Sequence, residues 1–281
     1  MQRDLISGLI VEKLTSLGVE KLASHYLGSG PINHLVIDDL LPAELATHLC
    51  ESFPPESRLR LLDARQEKKF VGVRFENGEK IVEECIYAFQ QAPVLDLFAK
   101  ICSIDQLEGD PELYAGGVSS MSNTCFLNPH IDNSHDRLKK RFRRLNLLYY
   151  VSKGWRSDEG GQLLLYPSGL QFEPIEIDCR FNRLVVMRTD NRSLHAVKAV
   201  SSVENRRKAI SNYYFTSSSP LGRDYYHSTS FRGFPGETRK DFLLRIDALI
   251  RTSIKSMTGS LIGRYIHTGY HRRDGKADFR G

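Results

Sequence analysis

From residue 119 the chain changes texture. Short apolar and aromatic runs alternate with Gly, Pro, Asn and Asp at 121–127, 129–133, 144–151, 161–166, 171–177, 182–188, 194–199 and 207–216. Many short strands at even spacing predict two packed β layers, a sandwich or jelly roll. The region before it carries helical periodicity. Residues 3–26 place Leu5, Leu9, Ile10, Leu14, Leu17 and Leu22 at helical spacing, and the segments 42–52 and 92–102 repeat the pattern. Strands are expected at 33–38, 57–62 and 69–74. Helices first and strands afterwards predict helices packed on the outside of one sheet. The chain then divides into support at 1–118, a β core at 119–220, and a helix with a basic tail at 221–281. The last helix, 238–257, carries Phe242, Ile246, Leu249, Ile250, Ile254 and Met257 on one stripe. Packing on the domain's own sheet is favoured over a dimer contact.

Composition narrows the class. At 281 residues, 41% hydrophobic and 26% charged, the chain can bury a full core as a soluble protein. No apolar run approaches the ~18 residues of a membrane helix, and the N-terminus lacks the features of a signal peptide. Five scattered cysteines without a Cys-x-x-Cys motif fit reduced thiols, and a cytoplasmic location is expected. The net charge of +5 is unevenly spread: residues 137–144 hold six basic residues in eight, and 251–281 hold seven basic and two acidic residues. Solvated loop and tail are the simplest reading. Contact with an anionic substrate, a phosphate group or a membrane surface is the functional one. The first run holds one aromatic residue, Phe142, and not the repeated interleaving that nucleic-acid binding would favour, so no nucleic-acid partner is expected.

Three residues carry metal chemistry. His130 and Asp132 stand two apart in Pro-His-Ile-Asp-Asn, a spacing that turns both to one face of a strand. His195 follows 63 positions later. Two imidazoles and a carboxylate are the ligand set of non-haem iron(II) sites that keep coordination positions open. Alone the pattern is common, and its weight comes from its surroundings. Alternation along 207–216 places Arg207, Ala209, Ser211 and Tyr213 on one face. An inward Arg207 requires an anion, and the far carboxylate of a dicarboxylic keto acid chelating the metal would match a guanidinium in bidentate fashion. Ser211 could add a hydroxyl. On the strand 144–151, Asn146, Leu148 and Tyr150 share a face, and a phenol there could donate to the same carboxylate or serve as a core aromatic.

With these residues in place, the run from His130 to Phe215 resembles the catalytic core of the iron(II)/2-oxoglutarate dioxygenases, in particular the prolyl 4-hydroxylase-like subgroup. The matching segments are His130-Ile-Asp132-Asn133, Tyr149-Tyr150 through Trp155, and Glu159-Gly160-Gly161 through Pro167. They continue through Phe181-Asn-Arg183, Asn191 through Val197, and Arg207 through Ser211. The resemblance implies a double-stranded β-helix core. Fe(II) would be held by His130, Asp132 and His195. 2-Oxoglutarate would be the co-substrate, its distal carboxylate on Arg207, assisted by Tyr150 with Ser211 and Asn146 as further candidates. Ascorbate is a candidate reductant. The implied reaction converts 2-oxoglutarate and O2 to CO2 and succinate while a C–H bond of the substrate is hydroxylated. Asp132 favours hydroxylation, since related halogenases lack that carboxylate.

Two stretches depart from the subgroup: 119–129 lacks its usual tyrosines and glycines, and the basic loop after Asp132 is longer. Both line the substrate entrance in the family. A sugar or glycan component, or a small anionic metabolite, is therefore ranked above a peptidyl proline, with membrane-surface contact through the basic tail a further candidate and the oligomeric state open. His135 and Asp136 are expected to be loop residues rather than ligands. The rival from another class is a jelly-roll binding module without catalysis. Burying four such groups without a metal and an anion would cost several kcal/mol, which argues against it.

Overall fold

A computed structural model gives the fold and describes residues 2–257. The strands are β1 (His34–Ile37), β2 (Arg60–Ala64), β3 (Glu67–Gly72), β4 (Gly117–Met121), β5 (Phe126–Ile131) and β6 (Phe142–Tyr150), then β7 (Leu163–Leu165), β8 (Ile175–Ile177), β9 (Arg183–Arg188), β10 (His195–Val197), β11 (Arg207–Thr216) and β12 (Ser230–Phe231). The helices are α1 (Gln2–Ser16), α2 (Val19–Gly28), α3 (Ala43–Glu51), α4 (Lys80–Ala88), α5 (Ala92–Cys102) and α6 (Thr238–Met257). Neighbouring strands are antiparallel in the order β1-β9-β6-β11-β4-β3-β5-β10-β7-β8, with β2 added to β3 and β12 to β5. Strand β3 pairs with both β4 and β5, which rolls one sheet into two facing layers. This is the expected mainly β, jelly-roll architecture with flanking helices.

Alternation on β6 and β11 creates two cores. Leu145, Leu147, Tyr149, Ile210 and Tyr214 face outward and pack with Ile86, Phe89, Phe98 and Ile101 of the N-terminal helices. The buried phenols are satisfied: Tyr149 donates to Asn182 Oδ1 at 2.7 Å and Tyr214 to the Phe89 carbonyl at 3.0 Å. Tyr150 and Ala209 face inward and pack with Val185, Met187, Leu163, Leu165 and Cys179. The functional residues lie on this inner side.

Four expectations are corrected. Residues 3–26 form two helices, because Gly18 adopts φ 85° between them and its carbonyl accepts from Leu22 to start α2. Helix α4 lies in a stretch assigned no element, with Ile81, Val82, Cys85 and Ile86 buried. A strand at 121–127 is replaced by β4, a turn at 122–125 and β5; Cys125 N–H donates to the Ser122 carbonyl and Thr124 sits at φ 67°. The α6 stripe does not pack on the sheet: Leu244 is buried, whereas Phe242 is 64% and Leu249 69% exposed, with Ile246 and Ile250 also exposed. The helix is fastened near its start, where Asp241 accepts from Arg232 Nε at 2.6 Å and Nη2 at 3.0 Å. The side chains of Ile254 and Met257 and the basic tail at 259–281 lie outside the described residues. Among the described residues no helix is long and apolar enough to cross a membrane.

Candidate active site

Strands β5 and β10 pair so that His130 stands directly opposite His195, with ring centroids 4.2 Å apart. Each ring is fixed through its Nδ1, hydrogen-bonded to the backbone carbonyl two residues back: Asn128 for His130 and Ser193 for His195, both at 2.9 Å. That leaves both Nε2 atoms directed at Asp132, whose Oδ1 lies 3.6 Å from His130 Nε2 and whose Oδ2 lies 3.8 Å from His195 Nε2. One ligand atom of each residue falls within 4.8 Å of the others. All three side chains are buried.

The electrostatics suit a cation. Burial pushes the Asp132 carboxyl up, but hydrogen bonding with His130 and the charge of Arg143 outweigh it and hold the group ionised, well below the usual carboxylate range. Burial, with His130 alongside, brings His195 down to about 4, so its ring is neutral, as a ligand must be. Asp132 Oδ2 is buried without a hydrogen-bond partner. A fixed pair of imidazole Nε2 atoms and an ionised, under-satisfied carboxylate fit a divalent iron site, with outer hydrogen bonds setting the tautomers.

A second buried charge lies at the start of β11. Arg207 is 2% exposed. Its Nε donates to the Gly161 carbonyl at 2.8 Å and its Nη2 to Tyr150 Oη at 3.2 Å, while Cys179 Sγ lies 3.0 Å from Nε and Met121 Sδ 3.5 Å from Nη1. The guanidinium thus meets a phenol, a carbonyl and two sulfurs. Burial raises the Tyr150 phenol and the Cys179 thiol, so both are neutral and Arg207 keeps its charge. The Gly160–Gly161 pair makes room. Both have positive φ, a Cβ on Gly161 would stand 2.8 Å from Arg207 Cδ, and a Cβ on Gly160 would strike the Ala199 carbonyl.

Ser211 and Asn146 are not in this group. Ser211 Oγ donates to the Gly117 carbonyl at 3.4 Å. Asn146 pairs in register with Tyr213, four residues from Tyr150 along β6, and its Nδ2 donates to Tyr213 Oη at 3.2 Å.

The basic run 137–144 resolves into separate roles. Arg137 pairs with Glu112 at 3.7 Å, and Arg141 with Asp136 at 2.9 Å and Glu108 at 3.3 Å; Lys139 sits over the Tyr226 ring. His135 and Asp136 belong to this loop, His135 packed against Phe142, Tyr225 and Tyr226. Arg143 alone of the run turns to the metal site. It is 2% exposed, stacked on the Tyr213 ring at 4.0 Å, with Nη1 3.5 Å from Asp132 Oδ1. Its Nε and Nη2 are buried without partners, as are Asn146 Oδ1 and His227 Nε2. Periodicity set Tyr213 on the Arg207 face of its strand but did not single out Arg143 or His227.

The sequence model of the 2OG-Fe(II) oxygenase superfamily matches residues 116–215. Among solved structures, a prolyl 4-hydroxylase from Phytophthora capsici is similar over 95% of this chain and 81% of its own, at 16% identity and a TM-score of 0.52, which supports the fold. A prolyl hydroxylase from Trichoplax adhaerens, in complex with a hypoxia inducible factor peptide fragment, matches over 76% of this chain and 90% of its own, at 21% identity and a TM-score of 0.48. The non-heme alpha-ketoglutarate dependent epimerase SnoN from nogalamycin biosynthesis matches over 80% and 89%, at 11% identity and a TM-score of 0.49. No curated protein matches the chain. The match over residues 116–215, together with the His130, Asp132 and His195 cluster, supports a 2-oxoglutarate-dependent dioxygenase that uses Fe(II).

Proposed function

We propose that this dioxygenase hydroxylates an unactivated C–H bond of a small anionic metabolite or sugar component. In this reading His130, Asp132 and His195 hold Fe(II), and the metal supplies the oxygen chemistry that 2-oxoglutarate fuels. Arg207 and Tyr150 seat the far carboxylate of 2-oxoglutarate at the closed end of the inner core. Arg143 binds the substrate's anion at the other side of the triad.

The observation that carries the substrate reading is the free edge of Arg143. Arg183 and Arg232 in this same chain use their Nε and Nη2 edge to grip Asp38 and Asp241 with two parallel hydrogen bonds of 2.6–3.0 Å. Arg143 presents the same edge, buried, with neither nitrogen paired. Unpaired buried donors on a cation are costly and rare. A carboxylate satisfies both at once, in the fork geometry that guanidinium favours. Nη1, facing Asp132, keeps that anion one guanidinium width from the metal ligands.

The test is 2-oxoglutarate turnover by the Fe(II)-loaded protein with a panel of small carboxylates, sugar acids, neutral sugars and a prolyl peptide. Anionic members are expected to stimulate turnover. Arg143→Gln should abolish that stimulation and Arg143→Lys restore part of it. Stimulation by the neutral prolyl peptide alone would overturn the proposal.

A further inference from the structure

After β11 the chain loops outward and returns along β5 as a strap. Ser230 and Phe231 pair with Ile131 and His130 as β12. Further up the strap, Ser134 N–H donates to the His227 carbonyl at 3.1 Å and His227 N–H donates to Ser134 Oγ at 2.9 Å. Backbone bonds thus stitch the strap to both sides of Asp132, and Phe231 stacks on the His130 ring at 5.2 Å.

His227 is placed by this stitching, and its main chain rather than its ring makes the structural bonds to Ser134. The ring is hydrogen-bonded to the backbone of Ser228, and since Nε2 is buried without a partner, Nδ1 makes that bond. Asp132, Arg143 and Asp190 are the charged side chains that act on it. Burial lowers its pKa, so the ring is neutral and Nε2 presents a lone pair. Asn146 Oδ1 is also buried and unpaired, and Asn146 Nδ2 donates to the phenol of Tyr213, on whose ring Arg143 stacks, so it is a second acceptor beside Arg143.

We propose that His227 determines specificity by accepting a hydrogen bond at Nε2 from a hydroxyl of the substrate whose carboxylate lies on Arg143. The ligand class is a polyhydroxylated carboxylate, of the aldonic or uronic acid type. Arg143 offers a donor edge that wants a carboxylate, while Asn146 and His227 offer acceptors that want hydroxyl groups. A simple fatty or aromatic acid would satisfy the first and leave the other two unpaired. This inference rests on the anionic-substrate reading above.

The experiment is calorimetric titration of the full chain loaded with Mn(II) and 2-oxoglutarate, which prevents turnover. Two pairs of probes differ in hydroxyl groups alone or nearly so: gluconate against hexanoate, and glucuronate against cyclohexanecarboxylate. The hydroxylated member of at least one pair should bind roughly tenfold more tightly. His227→Leu should shrink that gap to about twofold while binding the other member as the wild type does, and His227→Gln, which keeps an acceptor, should recover part of it. A gap unchanged in His227→Leu overturns the inference, as does equal weakening of both members by Leu and Gln, the mark of a merely structural role. The two readings fail differently. Binding of neither acid, or binding that survives Arg143→Gln, sinks the anionic-substrate reading and this inference with it. Arg143-dependent binding without a gap sinks this inference alone.

Discussion

Replacing Arg207 by Met separates its contacts in the fold from the role proposed for it toward the co-substrate. In the protein alone the substitution removes donors to the Gly161 carbonyl, which keeps the Cys179 thiol, and to Tyr150 Oη, which loses its partner, but it also removes a buried cation that meets no carboxylate. Each lost bond costs about 1 kcal/mol net, and replacing a buried charge by an apolar side chain of similar volume returns a similar sum. The unliganded stability should therefore change little. Toward 2-oxoglutarate the effect is one-sided. A bidentate pair to a carboxylate comprises two charge-assisted hydrogen bonds of about 1.5–3 kcal/mol each, so their loss should weaken binding by roughly 100-fold or more. Thermal unfolding with Mn(II) reads both effects. At a ligand concentration 100 times the wild-type Kd, 2-oxoglutarate should stabilise the wild type by about 2.7 kcal/mol, which for a chain of this size is about 5–10 °C. The variant, its Kd raised 100-fold, should retain about 0.4 kcal/mol, about 1 °C. A full ligand-induced shift in Arg207→Met would refute the assignment of the distal carboxylate to this residue.

Three further outcomes follow from the same contacts. Leu244→Ala, which empties the buried anchor of α6, should cost about 2–4 kcal/mol in denaturant titration, whereas Leu249→Ser on the exposed face should stay within about 0.5 kcal/mol; equal costs would mean that the outer face is packed. Asp38 is held below its ordinary pKa, first by hydrogen bonds from Arg183, with burial opposing, so its contribution is present above the unfolded carboxyl pKa and is lost as pH falls through the lower folded value. Asp38→Asn should therefore destabilise by about 1 kcal/mol at pH 7, discounted for a half-exposed pair, with the gap to wild type closing below about pH 4 in urea titrations. A gap that widened on acidification would contradict this. A carboxylate should bind the Mn(II) and 2-oxoglutarate complex more tightly than the phosphate monoester of the same skeleton, read by competition calorimetry; the reverse order would show that the mouth holds more positive charge than Arg143 supplies.

The sequence revealed the fold and the triad because both rest on local patterns. Period-two alternation turned Tyr150 and Arg207 to the inner face, and those two meet at 3.2 Å. The spacing of His130 and Asp132 put them together, but the opposite placement of His195 depends on β10 pairing with β5 rather than on anything near residue 195. Arg143 shows where alternation stops being a guide. Counting back from Tyr150, Leu148 and Asn146 turns Arg144 inward. The register of β6 on β11 shifts between Tyr214 and Phe215, so that Tyr214 faces Leu145 while Phe215 faces Arg143. That bulge moves Arg143 into the site and leaves Arg144 to donate to Thr216 Oγ1 at 3.3 Å. His227 carried no periodic signal, because the strap that delivers it pairs through two residues of β12 and a few backbone bonds. The α6 stripe misled for the opposite reason: amphipathic spacing states that a face is apolar, and not what covers it.

Charge balance ties these pieces together. Inside the barrel, Arg143 and Arg207 are each 2% exposed and stand with the ionised Asp132, while the histidine at 195, Tyr150 and Cys179 are neutral. A divalent metal on the triad would leave the buried site with three positive charges in excess, a state that low-dielectric surroundings penalise heavily. In the proposed arrangement, the dianion of 2-oxoglutarate would remove two of them, with its far carboxylate on Arg207. One positive charge would remain, and among the described residues Arg143 is the buried guanidinium with both Nε and Nη2 unpartnered. A singly charged substrate completes the neutralisation where a neutral one leaves the excess and a dianion reverses it. The same charge balance orders binding: until 2-oxoglutarate is in place, the most favourable occupant of the site would be 2-oxoglutarate itself, so the arrangement favours co-substrate first and substrate second.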